Sequence, residues 1–215
     1  MNDVDASAEA ARADFCRFLA ACYYEPDASF AEEGLFESMA VVGGHIDPAM
    51  AEGARRLGEA FSASSLEELL VDYTRLFLGP VDARARPYGS VWLGPDGLTM
   101  QDSTMALLAL YGQGGFEIAE DFRELPDHIA AELEFLYLLL FREDGARAGG
   151  NAAALAEASA LKGRFMAEHL GRWAGPFAQA VEREAGTAFY RTLGQLTGQF
   201  LQVETQRAGA CREDA

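Results

Sequence analysis

An all-helical fold is what this 215-residue sequence predicts, on three observations. Apolar residues recur at i, i+3, i+4, i+7 through most of the chain, the signature of helices with one buried face. Helix start and stop signals bracket these stripes. A single proline-punctuated stretch, 80–101, interrupts them. Together they predict a helical bundle of about eight to ten helices in one domain, with one long Pro-rich loop.

Taken in order, Phe15, Phe18, Leu19, Cys22 and Tyr23 form the first stripe, which ends at Pro26. Leu66, Leu69, Leu70, Tyr73 and Phe77 form the second; Ser65 with Glu68 makes a capping box before it, and Gly79-Pro80 stops it. In the loop, Pro80, Pro87 and Pro95 accompany Tyr88 and Trp92, and 90–93 could pair with 98–100 across the Asp96-Gly97 turn as a minor hairpin. Asp102 or Ser103 is placed to cap a helix through Met105, Leu108 and Tyr111 that ends in the glycines of 112–115. Pro126 opens the next helix, where Ile129, Leu133, Leu136 and Leu140 belong to a segment apolar nearly all round, so it belongs at the centre of the fold. Helices over 151–171, near 176–184 and over 187–207 follow, the last carrying Phe189, Leu193, Leu196, Phe200 and Val203. The domain is expected to span 1–208, with a frayed tail at 209–215.

Composition narrows the partners. With 50% hydrophobic and 24% charged residues the chain is ordinary for a globular protein, but its formal charge is −17. Nucleic acid and anionic membrane surfaces are poor partners for such a chain, and a basic partner is favoured. Cys16, Cys22 and Cys211 show no CxxC spacing, which argues against a zinc site or disulfide framework. No basic-then-apolar leader opens the sequence and its longest apolar run, 135–141, is too short to cross a bilayer, so a cytoplasmic protein without stable membrane insertion is expected.

Catalytic and cofactor signatures are missing from the sequence. Gly89-Ser90-Val91 lacks the first glycine of a nucleophile elbow. No phosphate-cradling glycine loop, HExxH pair or calcium loop occurs, and His45, His128 and His169 are far apart in sequence. No cofactor and no metal are expected. Asp127-His128 reads as a helix start, or as a polar pair at a cleft; as a general acid–base pair it would lack a nucleophile. Tyr73, Leu76 and Phe77 read as core or as one wall of a groove. Pro87, Tyr88 and Trp92 read as a rigid apolar wall or as packing over the core, and Tyr23 and Tyr24 as a cap on the core or lining of the same cleft.

Several segments taken together carry a resemblance. Residues 75–80 (Arg-Leu-Phe-Leu-Gly-Pro), 87–92 (Pro-Tyr-Gly-Ser-Val-Trp), 102–104 (Asp-Ser-Thr) and 124–128 (Glu-Leu-Pro-Asp-His), with 19–26 before them and 189–194 after, resemble the successive signatures of the TorD/DmsD family of redox-enzyme maturation chaperones. The resemblance spans about 20–205 and rests on the order and spacing of these motifs. It implies an all-α, TorD/DmsD-like fold and a cytoplasmic chaperone, not an enzyme. Such a chaperone would bind the twin-arginine signal peptide of a molybdopterin-containing oxidoreductase of the dimethyl-sulfoxide or trimethylamine-N-oxide reductase kind, holding the precursor for cofactor insertion before export. It implies Tyr23, Tyr73, Leu76, Phe77, Tyr88, Trp92, Asp127 and His128 as the peptide-binding positions. As partners it implies the client's catalytic subunit, extending to molybdenum-cofactor biosynthesis proteins, with the chaperone a monomer or a domain-swapped dimer. Tyr73 and Tyr88 stand where relatives often carry Trp, and Gln101 replaces a small residue. A helical assembly factor that binds the body of the molybdoenzyme subunit is the alternative, with a weak GTP-binding or hydrolytic protein a distant third.

Overall fold

The helix over 129–148, expected at the centre of the fold, buries eleven of its twenty residues. In a computed structural model the described residues are 3–79, 83–119 and 122–213, with side chains described between 8 and 207. The helices are α1 (Asp3–Ala21), α2 (Ser29–Glu32), α3 (Leu35–Ile46), α4 (Pro48–Ser62), α5 (Leu66–Phe77), α6 (Gly89–Leu93), α7 (Asp102–Gln113), α8 (Ile129–Ala148), α9 (Ala152–Phe165), a π-helical turn (Met166–Leu170), α10 (Gly171–Glu184) and α11 (Ala188–Glu213). Among the described residues there is no strand, only an isolated antiparallel bridge between Tyr88 and His128. No described helix is long and apolar enough to cross a membrane.

Ile129, Leu133, Leu136 and Leu140 of α8 are all buried, and α1 and α9 pack along that helix. Of the first stripe, Phe15, Leu19, Cys22 and Tyr23 are fully covered, while Phe18 is half-buried against the core. α3 and α4 pack on each other and on α1 and α11, and α10 pairs with α11 to close the other side. Asp47 starts α4 by accepting from the Ala49 amide at 2.7 Å, with Pro48 at the first helical position. The capping box at Ser65 and Glu68 is present in full. Cys16 and Cys22 are free and buried, while the side chain of Cys211 and residues Pro80, Asp214 and Ala215 lie outside the description. α11 occupies the first part of the expected 209–215 tail, through Glu213.

Five local expectations are corrected. The 90–93 segment is helical (α6) rather than a hairpin strand, because Ser90 finds its partner in Asp127 instead of across the Asp96-Gly97 turn. Neither Asp102 nor Ser103 caps α7; Gln101 holds that position without a side-chain bond. The buried face of α7 is Thr104, Leu107, Leu110 and Tyr111, which leaves Met105 63% exposed. Pro126 precedes α8 rather than opening it, since the imidazole of His128 is the cap. Finally, 152–184 runs on through the π turn, with exposed Pro176 inside α10, where one ladder bond is forgone. Gly171 closes that π turn: a Cβ there would collide with the Met166 carbonyl oxygen.

Candidate functional site

The loop after α5 returns to the helix end it came from and then lies along the start of α8. Ala85 N–H donates to the Leu76 carbonyl at 2.8 Å. Next, Ile129 N–H donates to the Pro87 carbonyl and Gly89 N–H to the Asp127 carbonyl, each at 2.8 Å. Asp127 Oδ2 accepts the Ser90 amide at 2.8 Å and faces the Thr104 hydroxyl at 3.4 Å. Tyr111 donates to the Pro126 carbonyl at 3.0 Å. These bonds tie 85–90 and α7 to the end of α5 and to the Pro126–Ile129 turn, which explains how a stretch rich in proline is held without regular structure.

A buried polar cluster lies under this strap. Glu132 accepts from the Trp173 indole at 3.1 Å and bonds His169 Nε2 at 2.8 Å, all three side chains being covered. Burial, only partly offset by the hydrogen bonds from His169 and Trp173, pushes the Glu132 carboxyl up to about 7. A Cβ on Gly89 would stand 2.9 Å from Glu132 Oε1, His169 Nε2 and Trp173 Nε1 alike. Gly89→Ala is therefore expected to destabilise the fold by about 1–3 kcal/mol through overpacking. Urea denaturation measures the loss; unchanged stability would show that the strap does not press on this cluster.

The eight positions singled out from the sequence converge, but most of them on a filled interior. Tyr23, Tyr73, Leu76, Phe77, Asp127 and His128 are no more than 5% exposed. Phe77 packs edge-on against Tyr23 at 6.0 Å, Tyr73 at 5.3 Å and Tyr190 at 5.5 Å, and meets Phe177 at 6.2 Å. Trp92, half-buried, closes the cluster's edge against Phe177 at 6.2 Å while its indole donates to the Arg86 carbonyl. Tyr88, also half-buried, lies edge-on to His128 at 5.6 Å. His128 Nδ1 accepts the Ala130 amide at 3.2 Å, and burial lowers its pKa to about 3, so the ring is neutral.

At the surface of this cluster two tyrosines meet carboxylates. Tyr24 donates to Glu134 and Tyr88 to Glu124, both at 2.6 Å. Burial, then Glu124 and Glu25, push the Tyr73 hydroxyl up to about 12. Tyr24 also faces the Phe122 ring at 6.4 Å, and Phe122 faces His128 at 6.4 Å. Beside them opens a concavity of about 390 Å³ walled by Tyr24, Phe116, Ile118 and Phe122, with Glu117 and Glu134 on its rim. Among the described residues, no ion pair involves Glu25, Glu117, Glu124 or Glu134. Sequence reading missed Glu124, Glu134 and Phe122 as a set, because they come from two segments that only the fold brings to Tyr24. It missed Trp173 and Phe177 too, although their i, i+4 spacing was a usable signal.

Comparison with known proteins places the chain in a family. The family described as nitrate reductase delta subunit matches residues 44–179. A Tat proofreading chaperone DmsD of Salmonella typhi is 33% identical over 155 residues, 69% of this chain and 66% of that protein. A chaperone protein TorD of Vibrio parahaemolyticus is 27% identical over 138 residues, 64% of this chain and 63% of that one. The matches thus span just under two thirds of the length of these relatives. A redox enzyme maturation protein from Archaeoglobus fulgidus shares the fold, with a TM-score of 0.56 at 20% identity over 88% of this chain and 93% of that one. The class is that of all-α redox-enzyme maturation proteins, and the chain belongs to the TorD/DmsD family.

Proposed function

We propose that the protein is a cytoplasmic chaperone that binds the twin-arginine signal peptide of a molybdopterin-containing oxidoreductase, holding the precursor for cofactor insertion before export. The observation that carries the reading is the tyrosine–carboxylate rim: Glu134 with Tyr24 and Glu124 with Tyr88, free of internal cations among the described residues. Each carboxylate takes one tyrosine hydroxyl and keeps lone pairs for another donor. A guanidinium suits such a place, because its planar fork matches a carboxylate while its face stacks on an aromatic ring. The two places, linked through the rings of Phe122 and His128, would each take one arginine of the pair. The chain's charge of −17 speeds the encounter with a basic leader.

Isothermal titration calorimetry with a synthetic twin-arginine leader checks this. Glu124→Gln with Glu134→Gln is expected to weaken binding by about 2 kcal/mol or more, the scale of hot-spot and charge-assisted contacts. A twin-lysine leader should bind less tightly than the arginine one, and affinity should fall as salt rises. A leader that binds equally well with both arginines replaced by alanine would overturn the reading.

A further inference from the structure

The two tyrosine–carboxylate pairs of the rim differ in shape. The concavity of about 390 Å³ takes in Tyr24 with Glu134, while Tyr88 and Glu124 are not part of its lining. Three segments build it. α8 supplies Ala131 and, three residues on along the same face, Glu134, so the carboxylate's neighbour in the lining is only a methyl group. The turn after α7 supplies Phe116 and Ile118. Gly115, at φ 58°, lets the chain turn so that Phe116 packs on Tyr111 and Phe135, at 4.8 and 5.5 Å. That wall is anchored in the core. Phe122 completes the lining; it is half-buried, and its ring lies 6.4 Å from Tyr24 and 6.4 Å from His128.

Apolar walls around a carboxylate suit a side chain with an apolar stem and a cationic tip. Burial, then Glu134, raise the Tyr24 pKa, so its hydroxyl stays protonated and remains the donor to Glu134. Exposed Glu117 shares the lining, and neither carboxylate has an ion pair among the described residues. Charge thus selects a cation over a neutral or acidic occupant.

We propose that this concavity seats one arginine of the leader and reads it by shape, with Phe122 setting arginine against lysine, while the other arginine is read at Glu124 by charge. This rests on the leader-binding reading above and deepens it, because it makes the two arginines unequal. A guanidinium is planar and weakly hydrated. It can enter between the aromatic walls, lie on the Phe122 ring and still turn its fork to Glu134. An ammonium is compact and strongly hydrated, has no face to stack and loses more on leaving water. At Glu124, outside the concavity, the same exchange costs little.

Isothermal titration calorimetry with the full chain and three synthetic leaders tests this. One leader carries both arginines, and in the other two each arginine in turn is lysine. One single-lysine leader should bind the native protein about tenfold more weakly than the double-arginine leader, the scale of a desolvated cation–π contact. The other should stay within about threefold of it. Phe122→Leu should bring the tenfold loss down to the smaller one, and Phe122→Tyr, which keeps the ring, should retain it. Circular dichroism checks that each variant is folded; were Phe122→Leu to unfold, the three leaders on the native protein would still decide. The proposal is overturned if the two single-lysine leaders bind the native protein equally, or if folded Phe122→Leu keeps the full difference between them. If the double-arginine leader does not bind the native protein at all, the leader-binding reading falls, and this proposal with it.

Discussion

Replacing Glu204 with alanine is expected to lower the unfolding free energy by about 3–5 kcal/mol, because it takes from a buried guanidinium the carboxylate that fills two of its nitrogens. Arg12 is 2% exposed, and its fork donates to both oxygens of Glu204, at 2.7 and 2.6 Å. Its remaining nitrogen pairs with Glu9, which also takes Arg207 and lies 3.1 Å from Arg147. One carboxylate on α1 and one on α11 thereby join α1, α8 and α11 at the ends of three long helices. Urea denaturation reads the loss directly. Arg12→Met combined with Glu204→Leu should recover much of it, since removing both charges removes the desolvation cost as well. A loss below about 1 kcal/mol for Glu204→Ala would mean that Arg12 finds water or another carboxylate, and the network would not be the tie described.

The second large effect is a loss of stability in acid that originates at His128. Burial holds this imidazole neutral down to about pH 3, whereas an unfolded chain protonates it near 6.5. Between those values the unfolded state binds the extra proton, so His128 costs stability progressively as pH falls from about 6.5 toward 3, on the order of 4 kcal/mol in full. Geometry supports the direction: Nδ1 is occupied as an acceptor at a helix N-terminus, where a positive charge is unwelcome. Glu132 acts in the opposite sense. Its carboxyl is raised to about 7, so its protonation favours the fold as pH falls from there toward 4.5. His128→Asn keeps an N-cap acceptor and separates the two contributions. The native protein should lose more stability than this variant between pH 7 and pH 5, and equal losses would show that His128 does not titrate as argued.

Much of the helical order was written locally. The capping box at Ser65, the stripes of α1, α8 and α11, and the stop before Gly79 follow from side chains within a turn or two of one another. What local patterns misjudged depends on tertiary partners. α6 is helical because Asp127, 37 residues away, takes the Ser90 amide. The exposed side of α7 could not be told from its buried side, as Met105 and Leu107 are equally apolar. The segment 28–62, with α2 to α4, went unread although Asp47-Pro48 is itself a helix-start signal. For the candidate site, the positions named from the sequence meet in one neighbourhood, most of them below its surface. The family motifs led to Tyr23, Leu76 and Phe77, which lie inside, whereas the accessible chemistry is in Tyr24, Phe122, Glu124 and Glu134. Distinguishing a tyrosine that packs from the next one, which points out, requires knowing where α1 ends.

The strap between α5 and α7 has a consequence for how the chain withstands being cut. Its outermost residues, Pro95, Asp96 and 98–100, are exposed, yet the backbone before them is stitched to the α8 start. Arg86 reaches over to the Gly97 carbonyl at 3.2 Å, bracing the tip from below. A protease that nicks this tip severs one peptide bond and none of those stitches. The two pieces should therefore travel as a single particle on a sizing column and come apart only in denaturant.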